Sequence, residues 1–309
     1  MGKTAFIFPG QGAQVCGMGQ DFYENSETAK AVFDRATELL GFSVPELCFE
    51  KNDRLDITEY TQAAMVTTSV AMMKVMEERG IHADVAAGLS LGEYCALVAA
   101  GVMTADDAIR TVRERGILMQ EAVPAGVGGM SAVLGMTADE INAVVDEIPN
   151  VQVANYNCPG QLVIGGEKAA VDKAAALAKE AGARRCIPLK VSGPFHTRLM
   201  APAGDALAKR FASEPFGEMQ VPVLFNCLGR EKAEQDSIPA LLVKQVQSSV
   251  YMEDTLHRLG ELGVDHILEV GPGSALAGFV KKTLPGVVCA SVETPEQLNA
   301  ALTAWKEEL

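Results

Sequence analysis

Long apolar runs are missing from this 309-residue sequence, and that excludes an ordinary membrane-spanning helix. The longest apolar stretch, residues 63–76, carries Thr67, Thr68, Ser69 and Lys74, so it predicts a buried helix rather than a bilayer span. The opening MGKTAFIFPGQG lacks the apolar core and small-residue cleavage site of a signal peptide, and a cytoplasmic address is expected. Paired cysteines are also missing. The seven cysteines are scattered, with no CxxC pair, which argues against a disulfide framework or a zinc site. They are expected to be reduced, and no metal or bound cofactor is called for. Cations are scarce: 26 Lys and Arg face 40 Asp and Glu, a formal net charge of −14. The chain as a whole repels nucleic acid and anionic membranes, so any acidic partner must meet a local basic patch.

What is present is the composition of a packed globular protein, 48% hydrophobic and 21% charged, without repeats or low-complexity tracts. The length suits two unequal domains. A β-prone run at 4–8 ends in Pro9-Gly10-Gln11-Gly12, where glycines permit a sharp exit from a strand. Ser26 and Gly41 bracket a predicted helix, and a longer one spans about 58–79, closed by Gly80. Residues 85–90 then read as a short strand that runs directly into a helix from Leu91 to Ala100.

The pattern changes after Pro124. Strands near 129–136, 150–156, 161–165 and 184–190 are separated by a helix opening on the capping box Thr137–Glu140 and an alanine-rich helix at 167–181. The order βαββαβ is the ferredoxin-like signature. A small domain is therefore placed at 127–193, inserted in a larger domain of 1–126 and 194–309. In that larger domain strands and helices alternate, as in a mostly parallel sheet covered by helices. The fold class is α/β.

Gly88-Leu-Ser90-Leu-Gly92 matches G-x-S-x-G with a strand before it and a helix after it, the context in which a serine is exposed at a strained turn. The first backbone N–H of that helix, on Leu91, can face a developing oxyanion. A serine needs a base, and only four histidines are available. His82, His257 and His266 read as ordinary surface or edge residues. His196 lies in a turn where the chain leaves the small domain, a place that commonly lines a cleft. Arg110, Arg113 and Arg115 are all candidates on one helix to meet an anionic substrate.

The sequence resembles the malonyl-CoA:acyl carrier protein transacylases over nearly its whole length. The likeness rests on FPGQGAQ (8–14), GLSLGEY (88–94), RGxxMQ (115–120), an NxxPGQ-like segment (155–161, one residue longer), GPFH (193–196) and EVGPG (269–273). It implies an α/β-hydrolase-like large domain carrying an inserted ferredoxin-like small domain, with the site between them. Ser90 would be the nucleophile and His196 its base. Backbone N–H groups of Gln11 and Leu91 would form the oxyanion hole, the main-chain carbonyl of Gln245 would orient His196, and Arg115 would pair with the malonyl carboxylate. Phe195 resembles the bulky residue of malonyl-selective members. The implied substrates are malonyl-CoA and a holo acyl carrier protein, with no nucleic acid or membrane partner. Two positions depart from the family's usual pattern: Leu89 stands where histidine is frequent, and Thr61-Gln-Ala-Ala64 replaces TQPA. Neither removes a reacting group. The rival readings are a thioester hydrolase, an acyltransferase of a polyketide pathway with the same Ser-His site, and a silent carrier-docking module. A carrier patch is expected from Arg184, Arg185, Lys190, Lys281 and Lys282.

Overall fold

The structure, a computed structural model, describes residues 2–124 and 126–307. In chain order its strands are β1 (Lys3–Phe8), β2 (Val85–Gly88), β3 (Gly128–Leu134), β4 (Val151–Cys158), β5 (Gln161–Glu167), β6 (Arg185–Pro188), β7 (Val223–Phe225), β8 (Arg230–Glu231), β9 (Val250–Tyr251), β10 (Val264–Val270) and β11 (Val288–Val292). The chain forms two compact units. One comprises Met1–Gly116, Phe216–Leu224 and His257–Leu309; the other comprises Ile117–Pro215 and Phe225–Leu256.

In the first unit the strands run β11-β10-β1-β2-β7, every neighbouring pair parallel. Parallel strands buried on both faces read as continuous apolar runs, and β1 and β2 do: Ala5 to Phe8 and Val85 to Ala87 are all buried. The helix Thr58–Glu78 is buried on nearly every side, as an all-round apolar helix must be. Its neighbour Glu27–Leu40 is closed at the two ends the sequence marks. The Ser26 hydroxyl accepts from Ala29 N–H, and Gly41 adopts the left-handed conformation with φ 72°, which costs glycine little. Among the described residues no helix is long and apolar enough to cross a membrane.

The second unit is built on a sheet of order β6-β3-β5-β4-β9. The pairs β3–β5, β3–β6 and β4–β5 are antiparallel, whereas β9 joins β4 in parallel through Asn155–Val250 and Tyr156–Tyr251. Two helices, Ala138–Asp146 and Lys168–Glu180, cover one face. Their core includes Val133, Ile141, Leu162, Ile164 and Val171. The first of these helices opens on the expected capping box, Thr137 and Glu140 each bonding the other's backbone N–H. Short elements that the sequence reading passes over are the helices Gln20–Asn25 and Val44–Phe49 and the two-residue strands β8 and β9.

Candidate active site

The turn after β2 is one that only glycine permits at two places. A Cβ on Gly88 would overlap the backbone of Gly92, and one on Gly92 would overlap the Phe8 carbonyl. With both side chains absent, the helix Gly92–Ala99 starts directly against the end of β1, and Ser90 is held at φ 56°. A left-handed serine is strained, and such strain persists only where the surroundings impose it. Ser90, Asn150 and His196 are the described non-glycine residues with positive φ. Two of the three are the sequence's candidates for nucleophile and base.

The loop after β1 lies beside this turn. Leu89 N–H donates to the Phe8 carbonyl at 2.9 Å, and a Cβ on Gly10 would come within 2.7 Å of the Leu89 carbonyl. Gln11 anchors the loop by donating from Nε2 to Thr58 Oγ1 at 3.2 Å. From the other side Gly271, at φ 142°, lies so close to Pro9 that a Cβ there would sit 2.7 Å from its ring. This contact is the structural use of the EVGPG segment. Among the described residues no acceptor within the protein takes the backbone N–H of Gln11 or of Leu91, so both N–H groups stay available to a ligand oxygen.

Arg115 projects from the helix Ala105–Glu121 and is completely buried. Its Nη2 donates to Ser90 Oγ at 3.1 Å and its Nη1 to Gln62 Oε1 at 2.7 Å. The guanidinium also lies 5.6 Å from the Tyr94 ring centre. Burial pulls its pKa down, opposed by Tyr94 and by the buried carboxylate of Glu93; a guanidinium, whose charge is delocalised over three nitrogens, stays charged in proteins. Gly116 explains the approach, because a Cβ there would press on the Glu59 backbone of the helix Thr58–Glu78 at 2.6 Å. The other two candidate arginines are engaged elsewhere. Arg110 faces Asp107 at 3.7 Å, and Arg113 pairs with Glu59 while lying 4.3 Å over the Tyr60 ring. Gln62 is the buried partner of Arg115 that the sequence reading passes over. It sits inside Thr61-Gln-Ala-Ala64, where the motif was visible but the partner of its side chain was not.

In the second unit His196 is 4% exposed with φ 58°. Its Nδ1 lies 2.9 Å from the main-chain carbonyl of Gln245, near the end of the helix Ile238–Gln247. A carbonyl only accepts, so Nδ1 carries the proton and Nε2 is left with a lone pair. The turn is tied by Thr197 Oγ1, which donates to the Pro194 carbonyl at 2.6 Å. Phe195 and Gln245 are both buried. Of the other histidines, His82 and His257 are exposed and His266 is half-buried on β10. The five cations expected to meet a carrier, Arg184, Arg185, Lys190, Lys281 and Lys282, are all exposed.

Comparison with known proteins gives this arrangement a family. The acyl transferase domain family matches residues 5–299. The chain is 44% identical to the malonyl CoA-acyl carrier protein transacylase of Bacillus subtilis (strain 168), over 100% of this chain and 99% of that one. It is 38% identical to the protein of the same name from Staphylococcus aureus (strain MRSA252), over 99% of each. Among solved structures, the malonyl CoA-acyl carrier protein transacylase of Clostridium perfringens superposes with a TM-score of 0.95 at 41% identity, covering 99% of this chain and 98% of that one. A malonyl-transacylase in complex with its type II polyketide acyl-carrier protein gives 0.95 at 38% identity, covering 98% and 99%. The chain belongs to the malonyl CoA-acyl carrier protein transacylases, within the acyl transferase domain family.

Proposed function

We infer that the protein moves a malonyl group from malonyl-CoA to the phosphopantetheine thiol of an acyl carrier protein, through an ester on Ser90. The observation that carries this reading is the buried Arg115 guanidinium 3.1 Å from Ser90 Oγ. In a malonyl ester the free carboxylate stands two C–C bonds from the ester carbonyl, about 2.5 Å away. A cation for it must therefore lie next to the nucleophile, and a dry site must neutralise that charge or reject it. A planar guanidinium donating two parallel bonds suits one carboxylate.

The steps follow from the groups described. Ser90 Oγ attacks the thioester carbonyl as its proton passes to Nε2 of His196, and the oxyanion takes hydrogen bonds from the N–H groups of Gln11 and Leu91. Collapse breaks the C–S bond, and His196 returns the proton to the departing CoA thiolate. The carrier thiol then gives its proton to His196 and attacks the Ser90 ester; collapse forms the carrier thioester and breaks the C–O bond as His196 returns the proton to Ser90 Oγ. The Gln245 carbonyl holds His196 in the tautomer this requires, so no carboxylate completes the set. Phe195 crowds a branched acyl chain.

The same reading treats the first unit's parallel sheet as an α/β-hydrolase-like framework and residues 127–193 as an inserted ferredoxin-like domain. The order β6-β3-β5-β4 with antiparallel neighbours supports the second assignment. Residues 194–215 and 225–256 pack with the insert in the second compact unit. The carrier belongs to fatty-acid or polyketide synthesis, and the enzyme acts in the cytoplasm.

Steady-state rates against malonyl-CoA at several fixed carrier concentrations test the covalent route. Parallel double-reciprocal lines are expected. Converging lines would refute it, and free malonate released as fast without carrier as with it would make the protein a hydrolase.

A further inference from the structure

The second unit contains a cavity of about 850 Å³ that the transfer chemistry does not use. It lies on the helix-covered face of the sheet, at its β6 edge. Residues two apart on a strand share a face, so Ser131 lies on the side of β3 where Val133 enters the core under the helix Lys168–Glu180. The register places Pro188 beside Ser131 and Cys186 beside Val133 on that face. Over this edge the helix offers Ala175 and Ala176, whose methyl groups are too short to fill the space.

Three features give the cavity a chemical character. Val171, Pro188 and Val191 make apolar walls, with the Ala175 and Ala176 methyl groups beside them. The Ser131 hydroxyl is buried in a residue only 3% exposed, and among the described residues it has no hydrogen-bond partner; a native structure seldom leaves such a group unsatisfied unless something else binds it. At the rim Lys168 is taken by Asp172 at 2.8 Å, while Lys179 forms no ion pair among the described residues. Glu180 also lines the rim. Even so, the charge that acts on the Cys186 thiol inside is that of Lys179: burial pushes this thiol's pKa up, and Lys179 pulls it down. One free cation and one donor hydroxyl match a single carboxylate. A nucleotide or other polyanion would meet Asp172 and Glu180 with too few cations to offset them.

We propose that this cavity binds a free fatty acid, with the alkyl chain along the apolar walls and the carboxylate on Ser131 Oγ and Lys179. The volume falls in the range of small-molecule sites. The same cavity touches the segment that carries the base. Leu189, Val191 and Ser192 line it and lead through Gly193 and Pro194 to His196, and Gly128, at the start of the neighbouring β3, is packed so tightly on Pro194 that a Cβ would overlap its ring. Occupancy therefore shifts the His196 turn and lowers kcat without competing with malonyl-CoA. The binding itself does not depend on the function assigned to Ser90; only this coupling does.

Calorimetric titration with dodecanoate below its micelle concentration, paired with alkylation mapping, tests the site without turnover. One saturable site is expected, with Cys186 alkylation slowed and that of the exposed Cys16 unchanged. Lys179→Glu, at an exposed position where folding is not at stake, and the cavity-filling Ala175→Trp should each weaken binding by roughly tenfold or more, and methyl dodecanoate should bind wild type roughly tenfold less tightly than the acid. The absence of saturable binding, binding that both variants retain, binding that malonyl-CoA displaces, or an unprotected Cys186 would each overturn the proposal. An unchanged kcat at saturating dodecanoate would overturn the coupling to His196.

Discussion

Arg115 Nη2 stands 3.1 Å from Ser90 Oγ, both within one compact unit and with the guanidinium fully buried. On the proposed reading, this pair makes acyl choice an electrostatic matter. Leaving one partner of a buried charge pair alone costs ~2–5 kcal/mol, which is roughly 30-fold to several-thousand-fold in specificity. Arg115→Ala should lose malonyl transfer by that order, while acetyl-CoA, with no carboxylate to strand, should react as well as with wild type or better. Comparing kcat/KM for both donors in both proteins checks this, and an equal fall for the two would make Arg115 a structural residue.

His196 and Gln245 make a contrasting prediction, because the Nδ1 partner is a main-chain carbonyl. His196→Ala should slow acylation by at least ~100-fold, since general-base assistance contributes 10²–10⁴. Gln245→Ala keeps the carbonyl and should slow it far less. Single-turnover acylation rates for the two variants test the difference, and equal losses would place the essential contact on the Gln245 side chain.

The elbow glycines predict a structural failure. At Gly92 an added Cβ meets the Phe8 carbonyl, and at Gly88 it meets the Gly92 backbone. Backbone cannot move aside as a flexible side chain does, so Gly92→Ala should cost about 1–3 kcal/mol or more. Gly278, where an added Cβ would meet only open space, serves as control. Thermal unfolding of the Gly92→Ala and Gly278→Ala variants checks the contrast, and equal Tm values for the two would contradict it.

Glu269 predicts a pH dependence of stability. Burial raises its pKa despite the N–H groups of Leu276 and Ala277 and the Ser291 hydroxyl, all of which donate to it. A carboxyl whose folded pKa lies above its unfolded value binds its proton more tightly when folded. Its favourable contribution is complete below the unfolded pKa and is lost as pH rises through the folded one. Relative to Glu269→Gln, wild type should therefore lose stability as pH rises from the ordinary carboxylate range. Chemical denaturation of both proteins across that window measures the gap, and a constant gap would contradict the account.

An acidic carrier approaching a chain of net charge −14 needs a local cationic face. Lys281 and Lys282, exposed at the end of the helix Ala275–Thr283, are proposed as part of it. Reversing both charges should raise KM for the carrier and leave that for malonyl-CoA nearly unchanged. Equal effects on both would end the docking assignment.

Much of this was legible because its signals are local. Ser26, Gly41 and the Thr137–Glu140 box mark helix ends through bonds spanning a few residues. Gly88 and Gly92 mark the elbow because a close backbone approach leaves no other residue. The helices Gln20–Asn25 and Val44–Phe49 span six residues each, too few to show a period. The strand β9 is two residues held by pairing with β4, a contact between segments almost a hundred positions apart. Gln62 was passed over for the same reason: its partner Arg115 is fifty-three residues away. Likewise, spacing left three arginines on one helix equivalent; the family resemblance singled out Arg115, and the packing of Gly116 against Glu59 and the bond to Ser90 give the physical reason.

The central claim is the ester on Ser90, and peptide mass measurement tests it most directly. After incubation with malonyl-CoA and no acceptor, the peptide containing Ser90 should gain the mass of one malonyl group, and adding holo acyl carrier protein should remove it. An unmodified Ser90 peptide, or label that persists in Ser90→Ala, would contradict the account.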